Sequence, residues 1–156
     1  MPVILSLGTN SGNRKQNLKY ALRKLENFFE VKKISSIYLS SPAFNSYNPD
    51  FFNISVSGET SLSPYSLLKE IKSLEFLMGR RTNYRFKQRI IDIDILAFED
   101  KIVNLPYLKI PHPEFIKRDF FLIPSIEICP LYIHPLEKKQ IKDLSPQIKT
   151  ILRKIN

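Results

Sequence analysis

Arg89-Ile90-Ile91-Asp92-Ile93-Asp94-Ile95-Leu96 sets two acidic residues into a run of isoleucines. Isoleucine favours extended backbone and aspartate does not, so the pattern is reconciled by a pleated strand whose alternate side chains point to opposite faces. Asp92 and Asp94 then share one face, with their backbones roughly 6–7 Å apart. The strand extends over 90–98, and its neighbours decide how a sheet is built around it.

Upstream, a basic loop begins at Gly79 and holds Arg80, Arg81, Arg85 and Lys87, with Arg89 at its end. Before it, Ser63-Pro64 offers a helix start, and Leu67, Leu68, Ile71, Leu74, Phe76 and Leu77 carry a helix to Met78. Phe52, Ile54, Val56 and Gly58 alternate with polar residues, predicting a strand over 51–60. A further strand is expected over 31–41, ending at Pro42, and an amphipathic helix over 14–29. Val3 to Leu7 is a short apolar run that stops at Gly8, the mark of a buried strand. The order is β-α-β-β-α-β, which fits an α+β, ferredoxin-like antiparallel sheet with helices packed on one face. Downstream, Glu99-Asp100 and Ile102-Val103 suggest a hairpin extension. Ile110-Pro111-His112-Pro113 must be extended, because each residue before a proline is kept out of helix. A short helix over 116–126, ending near Pro124, and a terminal helix over 145–155 complete the expectation. No linker or repeat interrupts 1–156, so one domain is expected.

The 156 residues contain 43% hydrophobic and 25% charged side chains, ordinary for a globular chain and unlike disorder or coiled coil. Apolar runs stay far below the ~20 residues of a membrane helix, and the start lacks the pattern of a secretion signal. Cys129 is the single cysteine, so neither an internal disulfide nor a cysteine metal cluster can form. A cytoplasmic protein is the expectation. Twenty-four Lys and Arg against 15 Asp and Glu leave +9, a balance that favours anionic partners such as nucleic acid, a membrane surface or phosphorylated small molecules. Sixteen of the 24 are lysine, so genomic composition bias is an equal reading of the excess. The four glycines spell neither a dinucleotide fingerprint nor a P-loop, so phosphates would have to be held by cations and metal.

Asp92 and Asp94 alone fit a sheet with one wet face. Beside a basic loop, two hard carboxylates also supply what Mg²⁺ and a polyphosphate require. His112, between two prolines and ahead of Lys117 and Arg118, can meet a phosphate or a leaving group; His134 reads as structural.

Leu7-Gly8-Thr9-Asn10-Ser11-Gly12-Asn13-Arg14 resembles the opening motif of 6-hydroxymethyl-7,8-dihydropterin pyrophosphokinases. Ser41-Pro42, Phe51-x-Asn53, Glu75 with Gly79-Arg80, Arg89-x-x-Asp92-x-Asp94, Ile110-Pro111-His112-Pro113 and Arg118-x-Phe120 follow in that family's order. The resemblance implies transfer of diphosphate from ATP to the hydroxymethyl group of a dihydropterin in folate biosynthesis, releasing AMP. It implies two Mg²⁺ on Asp92 and Asp94, and a catalytic set of Arg89, Asp92, Asp94, His112 and Arg118. The nucleotide would meet Glu75, Arg80, Arg81, Phe86, Arg89, Ile95, His112 and Arg118, with Arg85 an alternative to Arg81. The pterin would stack between Phe51 and Phe120, hydrogen-bond Ser41 and Asn53, and lie against Pro42, Phe44 and Asp92. Two departures stand out: the basic loop is about one residue short, and Phe51 replaces a common tyrosine. The basic loop is expected to close over ATP. Small-molecule partners, a monomer and no membrane or nucleic-acid partner complete the reading. An RNA-binding module is the rival from another class, but it needs an R/K-G-F-G-F-type run that is absent. A relative that binds pterin without catalysis is the second rival, separated by whether Asp92 and Asp94 bind metal.

Overall fold

The computed structural model describes residues 1–41, 49–79, 90–150 and 153–155. In chain order these form β1 (Val3–Thr9), α1 (Arg14–Leu25), β2 (Glu30–Ile34), β3 (Ile37–Ser40), β4 (Phe51–Glu59), α2 (Pro64–Leu77), β5 (Asp92–Phe98), β6 (Val103–Leu105), β7 (Leu108–Ile110), α3 (Asp119–Ile128), β8 (Ile133–His134), β9 (Lys139–Gln140) and β10 (Arg153–Ile155). The main sheet has the order β10-β3-β4-β1-β5, with β2 also paired to β4. The pairings within it are antiparallel, as the ferredoxin-like reading requires.

All seven residues of β1 are buried, as suits a strand covered on both faces. On one face Leu5, Leu7, Ile54, Val56, Ile93 and Ile95 pack with Leu18, Ala21 and Leu25 of α1 and Leu67, Ile71 and Leu74 of α2. Each such fully buried aliphatic side chain contributes about 1.5–3 kcal/mol. The other face carries a second cluster, with Ile4, Leu96 and Ala97 against Phe121 and Leu122 of α3 and Phe115, Tyr132 and Ile141 beyond it. Helices therefore cover both faces, not one as expected. A β-bulge between Ile4 and Leu5 turns the strand ends toward this second cluster while Asp92 and Asp94 keep their pleat. Among the described residues no helix is long and apolar enough to cross a membrane.

Four local expectations are corrected. The first helix ends at Leu25, and Phe28 and Phe29 close its last turn through main-chain bonds to the Leu25 carbonyl. The strand expected over 31–41 is two strands. At the break, the Ser35 hydroxyl accepts the Ser55 N–H while Ser36 donates its N–H and hydroxyl to the Glu127 carboxylate. Side chains thus take over the ladder's partners. Pro124 lies inside α3 rather than at its end; the lost bond is the one to the Phe120 carbonyl, a turn away.

The fourth correction is the largest, because the described residues of 145–155 form no helix. Ile148 bridges to Arg118, Thr150 bonds to Asp119, and Arg153–Ile155 pairs antiparallel with β3. Partners distant in sequence bind Ile148, Thr150 and 153–155, and they override the terminal helix expected from residue 145. The strand at Phe51–Glu59, the helix from Pro64 with Ser63 as its cap, and Asp92–Phe98 stand where expected. The hairpin extension is β6 with β7. Gly58 is required by close approach: a Cβ there would lie 2.0 Å from the Glu30 carbonyl oxygen.

Candidate active site

Register builds the site. Across the ladder, Gly8 stands opposite both Asn53 and Asp92, and Ser6 opposite both Ser55 and Asp94. Directly paired residues share a face, so one row of small and polar groups crosses β4, β1 and β5 on the side that faces α3. Tyr38 pairs with Asn53 and extends the row onto β3. A cavity of about 230 Å³ opens over this row. Its floor is this row, Ser6, Gly8, Asn53, Asp92 and Asp94, and Ser40, Ser41, Phe51, Arg118, Phe120, Phe121 and Thr150 line the rest.

Gly8 keeps the floor open. A Cβ there would come within 3.4 Å of Asn53 Oδ1 and 3.6 Å of the Phe51 ring, inside the space the cavity uses. Asn53 Nδ2 donates to the Tyr38 carbonyl at 3.2 Å and to Ser40 Oγ at 2.7 Å. A carbonyl can only accept, so the amide orientation follows, and Oδ1 is the atom presented beside Gly8. The segment 8–14 shapes the approach: Asn13 caps α1 by accepting the Gln16 N–H, and Asn17 ties Thr9 to Ser11. Arg14 donates to the Asp50 carbonyl at 2.7 Å and stacks 4.0 Å above the Phe52 ring, which anchors the chain just before Phe51.

Asp92 and Asp94 both line the cavity, as the pleat argument expects. His112 Nε2 lies 3.8 Å from Asp94 Oδ1. The His112 Nδ1 accepts the Glu114 N–H at 3.0 Å, so the neutral ring carries its proton on Nε2, toward Asp94. Burial holds the imidazole below its usual pKa, the Arg118 guanidinium adds to this, and Glu114 opposes both. The ring is thus neutral near pH 7 and offers an N–H donor. It rests edge-on against Phe121, with ring centres 5.1 Å apart. Arg118 donates from Nη2 to Glu114 at 3.3 Å and lies 5.7 Å over the Phe120 ring, while its buried Nε has no protein partner among the described residues.

Asp92 and Asp94 suit a hard divalent cation in donor chemistry: two oxygen ligands of one strand, with Asp94 41% exposed. Among the described residues no third His, Cys, Asp or Glu joins them in a metal-holding group. That number fits Mg²⁺, which takes one or two carboxylates and completes its shell with water and substrate phosphate.

Glu75 does not line the cavity. It is 2% exposed, accepts the Ile93 N–H at 2.8 Å and meets Lys72 at 3.3 Å. Ile95 is buried in the core of the opposite face. Pro42, Phe44, Arg80, Arg81, Arg85, Phe86 and Arg89, and with them the basic loop, lie outside the described residues. Sequence reasoning missed Ser6, Ser40, Phe121 and Thr150. Ser6 and Gly8 were within reach, because they sit at period two in an apolar strand; Thr150 carried no local signal.

The family model for 7,8-dihydro-6-hydroxymethylpterin-pyrophosphokinase matches residues 4–130. A 2-amino-4-hydroxy-6-hydroxymethyldihydropteridine pyrophosphokinase of Aquifex aeolicus is 41% identical over 145 residues, 93% of this chain and 91% of that protein. The folic acid synthesis protein FOL1 of Dictyostelium discoideum is 38% identical over 133 residues, and the chain spans only 20% of its length. A crystal structure of Plasmodium falciparum HPPK-DHPS superimposes with a TM-score of 0.73 at 21% identity, covering 90% of this chain and 42% of that one. At that identity the likeness speaks for the fold.

Proposed function

The chain belongs to the 7,8-dihydro-6-hydroxymethylpterin-pyrophosphokinase family, and from that premise we propose how its residues carry out the family's reaction. The enzyme transfers diphosphate from ATP to 6-hydroxymethyl-7,8-dihydropterin and releases AMP, a step of folate biosynthesis. The hydroxymethyl oxygen bonds to the β-phosphorus while the bond from that phosphorus to the α-phosphate oxygen breaks, and the hydroxyl proton is lost.

The pterin takes the cavity over Gly8. Its flat ring suits the faces of Phe51 and Phe120, and its ring N–H groups suit Asn53 Oδ1, the acceptor left open beside Gly8. Ser41 and Asp92 border the same space, and Pro42 and Phe44 belong to the same proposed set. The ATP phosphates come to His112 and Arg118. The Nε2–H of a neutral His112 donates to a phosphate oxygen, and the unpartnered Arg118 Nε–H gains an acceptor. Arg89, Arg80, Arg81 or Arg85, and Phe86 complete the nucleotide side, with Glu75 and Ile95 supporting it from the core. Asp92 and Asp94 would hold two Mg²⁺, whose contribution when bound is to draw off phosphate charge. What these residues do is mostly positioning and electrostatics, as phosphoryl transfer demands. The proposal includes one domain, acting as a monomer in the cytoplasm on small molecules alone.

The observation that carries the reading is the joint lining of one cavity by Asn53, Phe51, Phe120, Asp92 and Asp94. The test is product analysis: with Mg-ATP and 6-hydroxymethyl-7,8-dihydropterin, AMP should form in step with pterin consumed. ADP alone, or turnover indifferent to pterin, would sink it.

A further inference from the structure

Asp119 is the first residue of α3 and is 4% exposed, between two residues that line the cavity, Arg118 and Phe120. A buried carboxylate must be matched by donors, and those of Asp119 come from far along the chain. Thr150 donates its N–H to Oδ2 at 2.7 Å and its hydroxyl to Oδ1 at 3.1 Å. The main chain adds to the join: Asp119 N–H donates to the Ile148 carbonyl at 3.1 Å, and Ile148 N–H to the Lys117 carbonyl at 2.8 Å. Thr150 itself lines the cavity, as do Ser40 and Ser41. The chain then continues to Arg153, which pairs with Leu39 on β3. Residues 148–150 are therefore tied to the start of α3, which bears Phe120, and residues 153–155 to the strand that leads to Ser41.

We infer that Asp119 is a positioning residue for the pterin half of the site, acting through Thr150. Its carboxylate fastens the C-terminal segment to the start of α3, so that Thr150 becomes a wall of the cavity and Phe120, the next residue, is held at its stacking position. Charge-assisted bonds of this kind are short and directional, and the helix N-terminus favours an anion at this place. The side-chain bonds of the join belong to Asp119 and Thr150, and Arg118, assigned above to the ATP phosphates, enters it only through its main-chain bridge to Ile148. The inference rests on the pterin reading above for its functional part and on geometry alone for the join.

Two measurements separate those parts. Hydrogen exchange at the Thr150 amide reads the join: Asp119→Ala should raise its rate at least 10-fold, with or without substrate. Steady-state kinetics read the function. Thr150→Val, which removes the hydroxyl bond and keeps the amide bond, should raise KM for the dihydropterin about 3- to 10-fold and leave KM for ATP within 2-fold. Asp119→Ala should raise the pterin KM further, and Thr150→Ser should restore most of the wild-type value. If Asp119→Ala does not fold, Thr150→Val and Thr150→Ser decide the matter alone. A pterin KM unchanged in Thr150→Val, or raised equally with that for ATP, overturns positioning. Unchanged amide exchange in Asp119→Ala overturns the join. If wild type makes no pterin-dependent AMP, the functional reading has failed, and amide exchange still judges the join.

Discussion

His112 and His134 are each followed by proline, and in each the ring folds back so that Nδ1 accepts main-chain N–H groups further on. His112 takes Glu114 at 3.0 Å; His134 takes Leu136 at 3.3 Å and Glu137 at 3.1 Å. Each ring also lies beside a phenylalanine, Phe121 for His112 and Phe115 for His134, with centres 5.1 and 6.0 Å apart. Burial lowers the pKa of both. What differs is the surroundings. His112 is 27% exposed and aims Nε2 at Asp94, a residue of the cavity. His134 is 4% exposed and lies beside the second hydrophobic cluster. One turn therefore serves two ends: it orients an imidazole, and the place of that turn decides whether the imidazole faces a residue of the cavity or only buried neighbours.

If the partner of Nε2 separates the two, removing that partner should do the most harm. Asp94→Asn, and equally Asp92→Asn, keeps size and removes a charge, so kcat should fall at least ~10²-fold, the scale of one lost electrostatic group. Saturating Mg²⁺ should not restore it, and a thermal melt should show the fold intact. Turnover like wild type would return both residues to the status of a wet strand face.

The histidines themselves should then fail in opposite ways. His112→Gln should lower kcat/KM on the order of 10-fold, about 1.4 kcal/mol, with little change in melting. His134→Ala leaves two amides unmatched and a void beside Phe115, and should cost about 2–3 kcal/mol, or roughly 4–12 °C in Tm. Its turnover per folded molecule should be unaffected. Matching losses from the two substitutions would erase the distinction.

The smallest effect is in pH. Both folded pKa values lie below the ordinary 6.5, so below that pH the unfolded chain binds protons that the folded one refuses. Stability therefore falls as pH drops beneath about 6.5, and neither ring contributes above about 7.5. A bound polyphosphate should oppose this at His112, which already faces Asp94, Glu114 and Arg118, and leave His134 untouched. Melts at pH 7.5 and 5.5, with and without an unreactive ATP analogue, test it. His134→Gln should flatten the acid loss in both conditions, and His112→Gln only without the analogue. Identical behaviour of the two variants would refute the contrast.

Elements with a strong local signal were legible in the sequence. The pleat of Asp92 and Asp94, the cap at Ser63 and the alternation of Phe51–Glu59 each follow from neighbours a few residues away. The C-terminal segment was not legible. Ser145-Pro146 announces a helix, but the donors and acceptors that decide its path belong to Lys117, Asp119 and β3. The site divides the same way. Asn53, Phe51, His112, Arg118 and Phe120 stand in motifs, whereas Thr150 lines the cavity on a segment held by Asp119, Lys117 and β3. Glu75 shows the limit of position alone, since its place near the motif for nucleotide says nothing of its bond to Ile93.

That bond has a consequence for how molecules of this protein meet one another. Among the described strands β5 ends the sheet, and an open strand edge is a template on which a second chain can assemble. The edge is already engaged at two points. Glu75 accepts the Ile93 N–H, and the Leu96 carbonyl accepts the His112 N–H. A side chain from α2 and the backbone of the His112 turn thus act as a selvedge, finishing the fabric where it would otherwise fray into its neighbours. The strand that carries the two aspartates can remain stiff, apolar and rich in isoleucine without becoming a seed for aggregation.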